Sequence, residues 1–210
     1  MPTPAEILNG LSTIANEMKV LAIVWHFLAA FAVIGLLAGW RPTKKMGASL
    51  LTLPLLSVGI FAWAYNNPFN GVVFLAFAVV LFVIALRMPN EKTQKVPAWG
   101  LAAGVIMILF GWVYPHFLEG GAWFKYLYAA PMGLIPCPTL SLTIGFALLA
   151  NGFSSRLWSV VLVFLGSFYA FFGAMRLGVS LDFVLLAGAL VLLLETVTLK
   201  SPMPIPDDKL

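Results

Sequence analysis

Long apolar runs alternate along this chain with short polar or aromatic breaks, and the breaks are too few to make a water-facing surface. A helix needs roughly 20 apolar residues to cross a bilayer core. Seven runs approach that length: 20–40, 47–65, 71–86, 98–114, 132–150, 157–175 and 181–199. The pattern predicts an all-α, polytopic transmembrane helix bundle of about seven spans over residues 20–200. Residues 1–19 read differently, because Ile7, Leu8, Leu11, Ile14, Ala15 and Met18 recur at helical spacing. Thr3 and Glu6 fit a capping box, with Pro4 at the first helical position, where its missing donor costs nothing. An external, interfacial amphipathic helix is expected there. No basic residue precedes Lys19, so a cleavable signal peptide is not. Residues 201–210 carry three prolines and are expected to form an extended cytoplasmic tail.

The fifth run is interrupted. Pro131, Pro136 and Pro138 surround Cys137, the only cysteine. Proline lacks an amide hydrogen and collides with the carbonyl one turn earlier. The carbonyls near Met132 and Leu134 are therefore expected to lose their helical partners. Non-helical backbone at membrane depth is tolerated only against protein or beside a wet cavity, which directs this segment to the bundle interior. Transporters build binding sites from such broken spans; a plain proline kink is the alternative reading. Pro54 predicts a kink in the second span, and Gly35 with Gly39 predicts close approach by another helix. The second, fourth and sixth spans end in Phe61-Ala-Trp63-Ala-Tyr65, Phe110-Gly-Trp112-Val-Tyr114 and Phe168–Phe172. These ends read as an aromatic belt at the outer interface, or as the mark of three repeated hairpins: spans two-three, four-five and six-seven.

Composition reinforces the pattern. The 210 residues are 61% hydrophobic and 10% charged, against about 25% charged in soluble domains. No room is left for a soluble catalytic domain. A net charge of +4 would suit nucleic acid, but the basic residues sit in short loops, where they act as topology signals. Arg41, Lys44, Lys45, Arg87, Lys92, Lys95, Arg156, Lys200 and Lys209 fall on one side, and Lys19, Lys125 and Arg176 on the other, nine against three. That bias predicts the N-terminus outside and the C-terminus in the cytoplasm. The expected partner is the lipid bilayer, with a homo-oligomer or larger membrane complex around it and no nucleic acid. The expected location is the cell membrane, multi-pass, of the bacterial inner-membrane type.

Ionisable groups inside a membrane are expensive and usually functional, and here they are few. His26 lies about 9 Å into the first span at ~1.5 Å per residue, and Cys137 lies at similar depth in the fifth. His116, Glu119 and Asp182 fall at outer ends of spans, and Glu195 near the inner end of the seventh. The expected substrate-binding set is His26, Tyr114, His116, Pro136, Cys137, Pro138 and Thr139 around an outward vestibule. The loop 116–130, with Trp123, Phe124, Tyr126 and Tyr128, is a candidate lid. Imidazole with thiolate suits zinc or copper, and two imidazoles suit a haem, so His26, His116 and Cys137 are the metal candidates. No HxxxH or CxxC spacing supports them, and the cofactor is left open. HExxH, GxSxG, P-loop and Rossmann glycine patterns do not occur, so an enzyme is not expected. Lys200 sits too near the end of its span for a buried Schiff base. No carboxylate sits at midplane, which points away from ion coupling.

The stretch Gly133-Leu-Ile-Pro-Cys-Pro-Thr-Leu140 with Ile144-Gly-Phe-Ala-Leu-Leu149, together with Trp25-His26 and Tyr114-Pro115, resembles a bacterial family of multi-span membrane proteins. That family is classed as a domain of unknown function, and some members are labelled permease. The resemblance covers most of the chain and implies a polar site at the helix break. It matches His26 to a histidine of the first span and Cys137 to a position that is often acidic. Residues and resemblance together predict a small permease or channel-like transporter of a small or soft solute. The alternative is an accessory subunit of a larger membrane complex containing a metal, haem or redox centre.

Overall fold

The computed structural model describes residues 3–94, 96–120 and 122–198; the expected tail 201–210 and Lys200 lie outside them. The described elements are helical: α1 Pro4–Glu17, α2 Lys19–Leu37, α3 Lys44–Leu50, α4 Thr52–Ala64, α5 Pro68–Leu86, α6 Ala98–Val113, α7 Tyr126–Ala129, α8 Pro136–Leu149, α9 Arg156–Phe171 and α10 Asp182–Thr198. Four helical stretches are long and apolar enough to cross a membrane: Lys19–Leu37, Lys44–Ala64, Pro68–Leu86 and Arg156–Arg176. The apolar helices α6 and α8 are shorter, at 16 and 14 residues.

The capping box forms, with Thr3 Oγ1 accepting from Glu6 N at 3.3 Å and Glu6 Oε2 accepting from Thr3 N at 2.7 Å. The apolar face of α1 packs on the protein. Leu11, Ile14 and Ala15 are buried, and Leu11 and Ile14 pack with Leu134, Ile135 and Ala22. The helix therefore rests on the bundle end and covers it, because that end offers apolar partners from the turn before α8. The second span bends where Pro54 withholds its donor from Leu50, dividing it into α3 and α4.

The fifth run is not a kinked helix. Its chain turns through Ala130–Ile135 and begins α8 at Pro136, so both prolines fall in the first helical turn, where amides have no helical acceptor. The prolines thus start a helix rather than break one. Thr139 ties the turn down: its Oγ1 accepts from Gly133 N at 2.8 Å and donates to Ile135 O at 2.6 Å. Pro131 O accepts from Ile135 N and Ala130 O from Met132 N. Nearly all of α8 is buried, from Pro136 to Leu148, which makes it the axis of the bundle.

Around that axis the helices pair most closely as three hairpins: α4 with α5, α6 with α8, and α9 with α10. Small residues mark each seam, as expected where lipid supplies no hydrophobic drive between helices. Gly59 lies on Leu75 and Gly71 on Trp63; Gly104 lies on Gly145 and Gly111 on Pro138 and Leu142; Gly166 lies on Ala189 and Gly173 on Asp182. Gly35 and Gly39 make no such seam, since Gly35 meets only Trp40 of its own segment and Gly39 turns the chain with φ +88°. Helix α2 presents only Ala22, His26 and Ala29 to the bundle as fully buried residues.

Two substitutions test this frame. A methyl at Gly111 would lie 2.6 Å from Pro138 O and 2.8 Å from Leu142 N, backbone atoms that cannot yield. Gly111→Ala is expected to cost about 1–3 kcal/mol in unfolding by denaturing-detergent titration. Thr139→Val keeps the shape but strands Gly133 N and Ile135 O, and is expected to cost about 2 kcal/mol in the same titration.

Candidate functional site

The chain brings its polar side chains together at the bundle end that α1 covers. Asp182 opens α10 directly after a tight return from α9. In that return Val179 N donates to Gly173 O at 2.9 Å, and Asp182 N donates to Val179 O at 3.0 Å. The α9 C-terminus unwinds into one π turn, Phe172–Arg176, a feature frequent at functional sites. Gly173 within it packs directly on the Asp182 carboxylate, where any side chain would collide. This is what admits the acid to the interior, where Asp182 is 1% exposed.

Both carboxylate oxygens are partnered. The Tyr114 hydroxyl donates to Oδ1 at 2.7 Å, and the Cys137 thiol donates to Oδ2 at 3.2 Å. Tyr114 is the C-cap of α6 and is stacked on Phe117; Cys137 lies in the first turn of α8. Beside them the Tyr169 hydroxyl donates to Asn70 Oδ1 at 2.9 Å. A cleft of about 20 Å³ lies among Asp182, Cys137, Pro136, Asn70 and Tyr169, with Ile7 and Leu11 of α1 along its side. That volume holds about one water molecule. Such a carboxylate with hydroxyl, amide and thiol neighbours suits a small cationic or hydrogen-bond-donating guest. The guest would have to be minute, or the cleft would have to widen.

Of the residues anticipated from sequence, Tyr114, Pro136 and Cys137 meet here. Pro138 and Thr139 are close in sequence but structural, one on the α6 seam and one holding the turn. His26 has Nδ1 2.8 Å from Ala22 O and Nε2 3.1 Å from Trp112 O. Both ring nitrogens thus face carbonyl oxygens, and neither is presented to a metal. His116 stands half-buried against Phe117, and burial moves its imidazole pKa below the ordinary range. The Cys137 thiol donates a hydrogen bond to Asp182, whereas a metal requires the thiolate. Among the described residues no three His, Cys, Asp or Glu side chains converge as a ligand set. His26, His116 and Cys137 are thus not gathered into one such group among the described residues.

The loop after Tyr114 serves the site as a strap. Phe117 O accepts from Ser12 Oγ at 3.1 Å and from Asn16 Nδ2 at 2.9 Å, and Glu119 N donates to Asn16 Oδ1 at 3.0 Å. Trp112 Nε1 donates to Leu127 O at 2.8 Å, fixing the loop's far end. Asn70, Tyr169 and Asp182 are the members that local pattern undervalued. Tyr169 reads as one aromatic among several and Asp182 as an acid at the outer end of a span, and Asn70 belongs to no motif. No protein-family model, curated protein or solved structure matches the chain.

Tyr114→Phe removes one partner from a buried carboxylate oxygen. It is expected to lower unfolding stability by about 2 kcal/mol. Asp182→Asn should recover part of that loss in the double variant, because the acid that needs the hydroxyl is gone; a denaturing-detergent titration of all three variants measures the coupling.

Proposed function

We propose that this chain is a small multi-pass membrane protein that transports a small, soft or cationic solute through the cleft beside the start of α8. In this reading seven segments cross the membrane, α8 being completed by the turn before it. The N-terminus lies outside, the C-terminus lies in the cytoplasm, and the membrane is of the bacterial inner type. The observation that carries the reading is the Asp182 carboxylate, buried at a non-helical break with a thiol and a hydroxyl on its two oxygens and a cleft at its side. Ionisable groups in such positions mark solute pathways, and discontinuous helices mark binding sites. The resemblance to the permease-labelled multi-span family fits as well. There the Cys137 position is often acidic, and here α10 brings an acid to the same place. Helix α1 lines one side of the cleft through Ile7 and Leu11, so in this reading a shift of α1 widens the way in.

Reconstituted into liposomes, the wild-type protein should pass ammonium, monovalent silver or urea faster than empty liposomes do. Asp182→Asn should reduce that flux at least about tenfold, the factor for a loss of 1.4 kcal/mol. Absence of flux for all three probes would overturn the reading.

An accessory subunit in a larger membrane assembly is the second reading, favoured by α2. Its Val20, Phe27, Phe31, Ile34 and Leu37 are exposed along an apolar face, which suits a partner helix as well as lipid. A stoichiometric partner retained on purification from native membranes would favour this reading.

A further inference from the structure

The opposite end of the bundle holds a second acid that the cleft does not use. Glu195 lies on the same buried face of α10 as Asp182, Leu185, Gly188, Ala189 and Leu192. It is 2% exposed, and neither carboxylate oxygen has a hydrogen-bond partner. No ion pair to it occurs among the described residues. An anion taken out of water without a partner is heavily penalised.

Its two oxygens sit between two glycines. A Cβ at Gly100, in the first turn of α6, would lie 3.2 Å from Oε1, and one at Gly152 would lie 3.9 Å from Oε2. Any side chain at Gly152 would also collide with Ser159 Oγ. Gly152 belongs to the turn Asn151–Ser154, whose four residues are all left-handed, with φ of 52°, 55°, 53° and 55°. Three of the four are not glycine, so the turn is held against its own preference. Ser159 Oγ donates to Gly152 O at 3.2 Å. The polar groups around Gly152 are thus oxygens: its own carbonyl, the Ser159 hydroxyl that donates to it, and the Glu195 carboxylate. Oxygen donors with one negative charge suit a hard monovalent cation.

We infer that Glu195, with Ser159 and the turn at Gly152, forms a binding site for one small monovalent cation, either sodium or a proton. This site is independent of the transport reading, and binding itself is what the experiment measures. The purified protein in detergent is melted in sodium chloride and in choline chloride at equal ionic strength, and its infrared spectrum is recorded for carboxylic-acid carbonyl absorption. If the guest is sodium, saturating sodium raises Tm by about 5 °C, and the rise is lost in Glu195→Gln and reduced in Ser159→Ala. If the guest is a proton, the salts do not differ, and the wild type shows an acid carbonyl band that Glu195→Gln removes and Asp182→Asn retains. The proposal is overturned if wild type shows neither a sodium response nor an acid band, or if the signal it shows persists in Glu195→Gln. Should Glu195→Gln fail to fold, Ser159→Ala decides the sodium arm, and Asp182→Asn decides the proton arm: an acid band lost in Asp182→Asn overturns the proposal.

Discussion

Peptide groups buried away from water must find partners within the protein, and here that requirement bears hardest on Ala130–Ile135. The turn is enclosed by α1, α2 and the rest of the bundle, with Met132, Leu134 and Ile135 at most 1% exposed. Thr139 meets the requirement from within the following helix, serving Gly133 N and Ile135 O with one hydroxyl. Because the turn is held, α8 can start at depth, and because α8 starts at depth, Cys137 lies where Asp182 can reach it. Ser141 and Thr143 continue the same habit, each donating to the carbonyl four residues earlier at 2.9 and 2.8 Å. Such back-bonding leaves a fully buried helix with hydroxyls but no unpaired donors.

Close packing of the hairpins follows from a second constraint. Lipid competes equally for apolar side chains, so helix pairs gain stability by backbone approach. The α6–α8 seam is the tightest case, and it is what brings Tyr114, at the end of α6, alongside the first turn of α8. The glycines and the polar site are thus one construction. Gly173 does for α9 and the Asp182 carboxylate what Gly111 does for α6 and the α8 backbone.

Much of this was legible in the residues, and the exceptions have physical causes. The α1 capping box and the Pro54 bend depend on contacts within one turn of helix, and sequence displays such contacts directly. Pro136 and Pro138 were harder, since a proline disrupts the interior of a helix yet suits its first turn. Their meaning depended on where α8 begins. The glycine seam was sought at Gly35 and Gly39, while the contacts fall at Gly104, Gly111 and Gly145, because spacing alone does not say which helix face meets another. Asp182 lies 68 residues from Tyr114 and 45 from Cys137, so no local pattern links them. His26 was conspicuous as a lone imidazole in an apolar run. Only the fold supplies the two carbonyls that occupy its nitrogens.

The buried face of α10 carries an acid at each end and apolar residues between. Asp182 is fully partnered and Glu195 is not, although both are almost completely buried. Between them Leu185, Gly188, Ala189 and Leu192 offer no hydrogen-bonding side chain, and Met107 fills the space at Gly188. No chain of polar side chains along α10 therefore joins the two ends. If solute passes through this bundle, the hairpins must part rather than the solute threading a standing channel. The tight glycine seams make each hairpin a unit, so the movable contacts are those between hairpins and at α1. The exposed polar ties of α1, such as Tyr65 to Glu17 at 2.8 Å, are the weakest of these, because water competes for both partners.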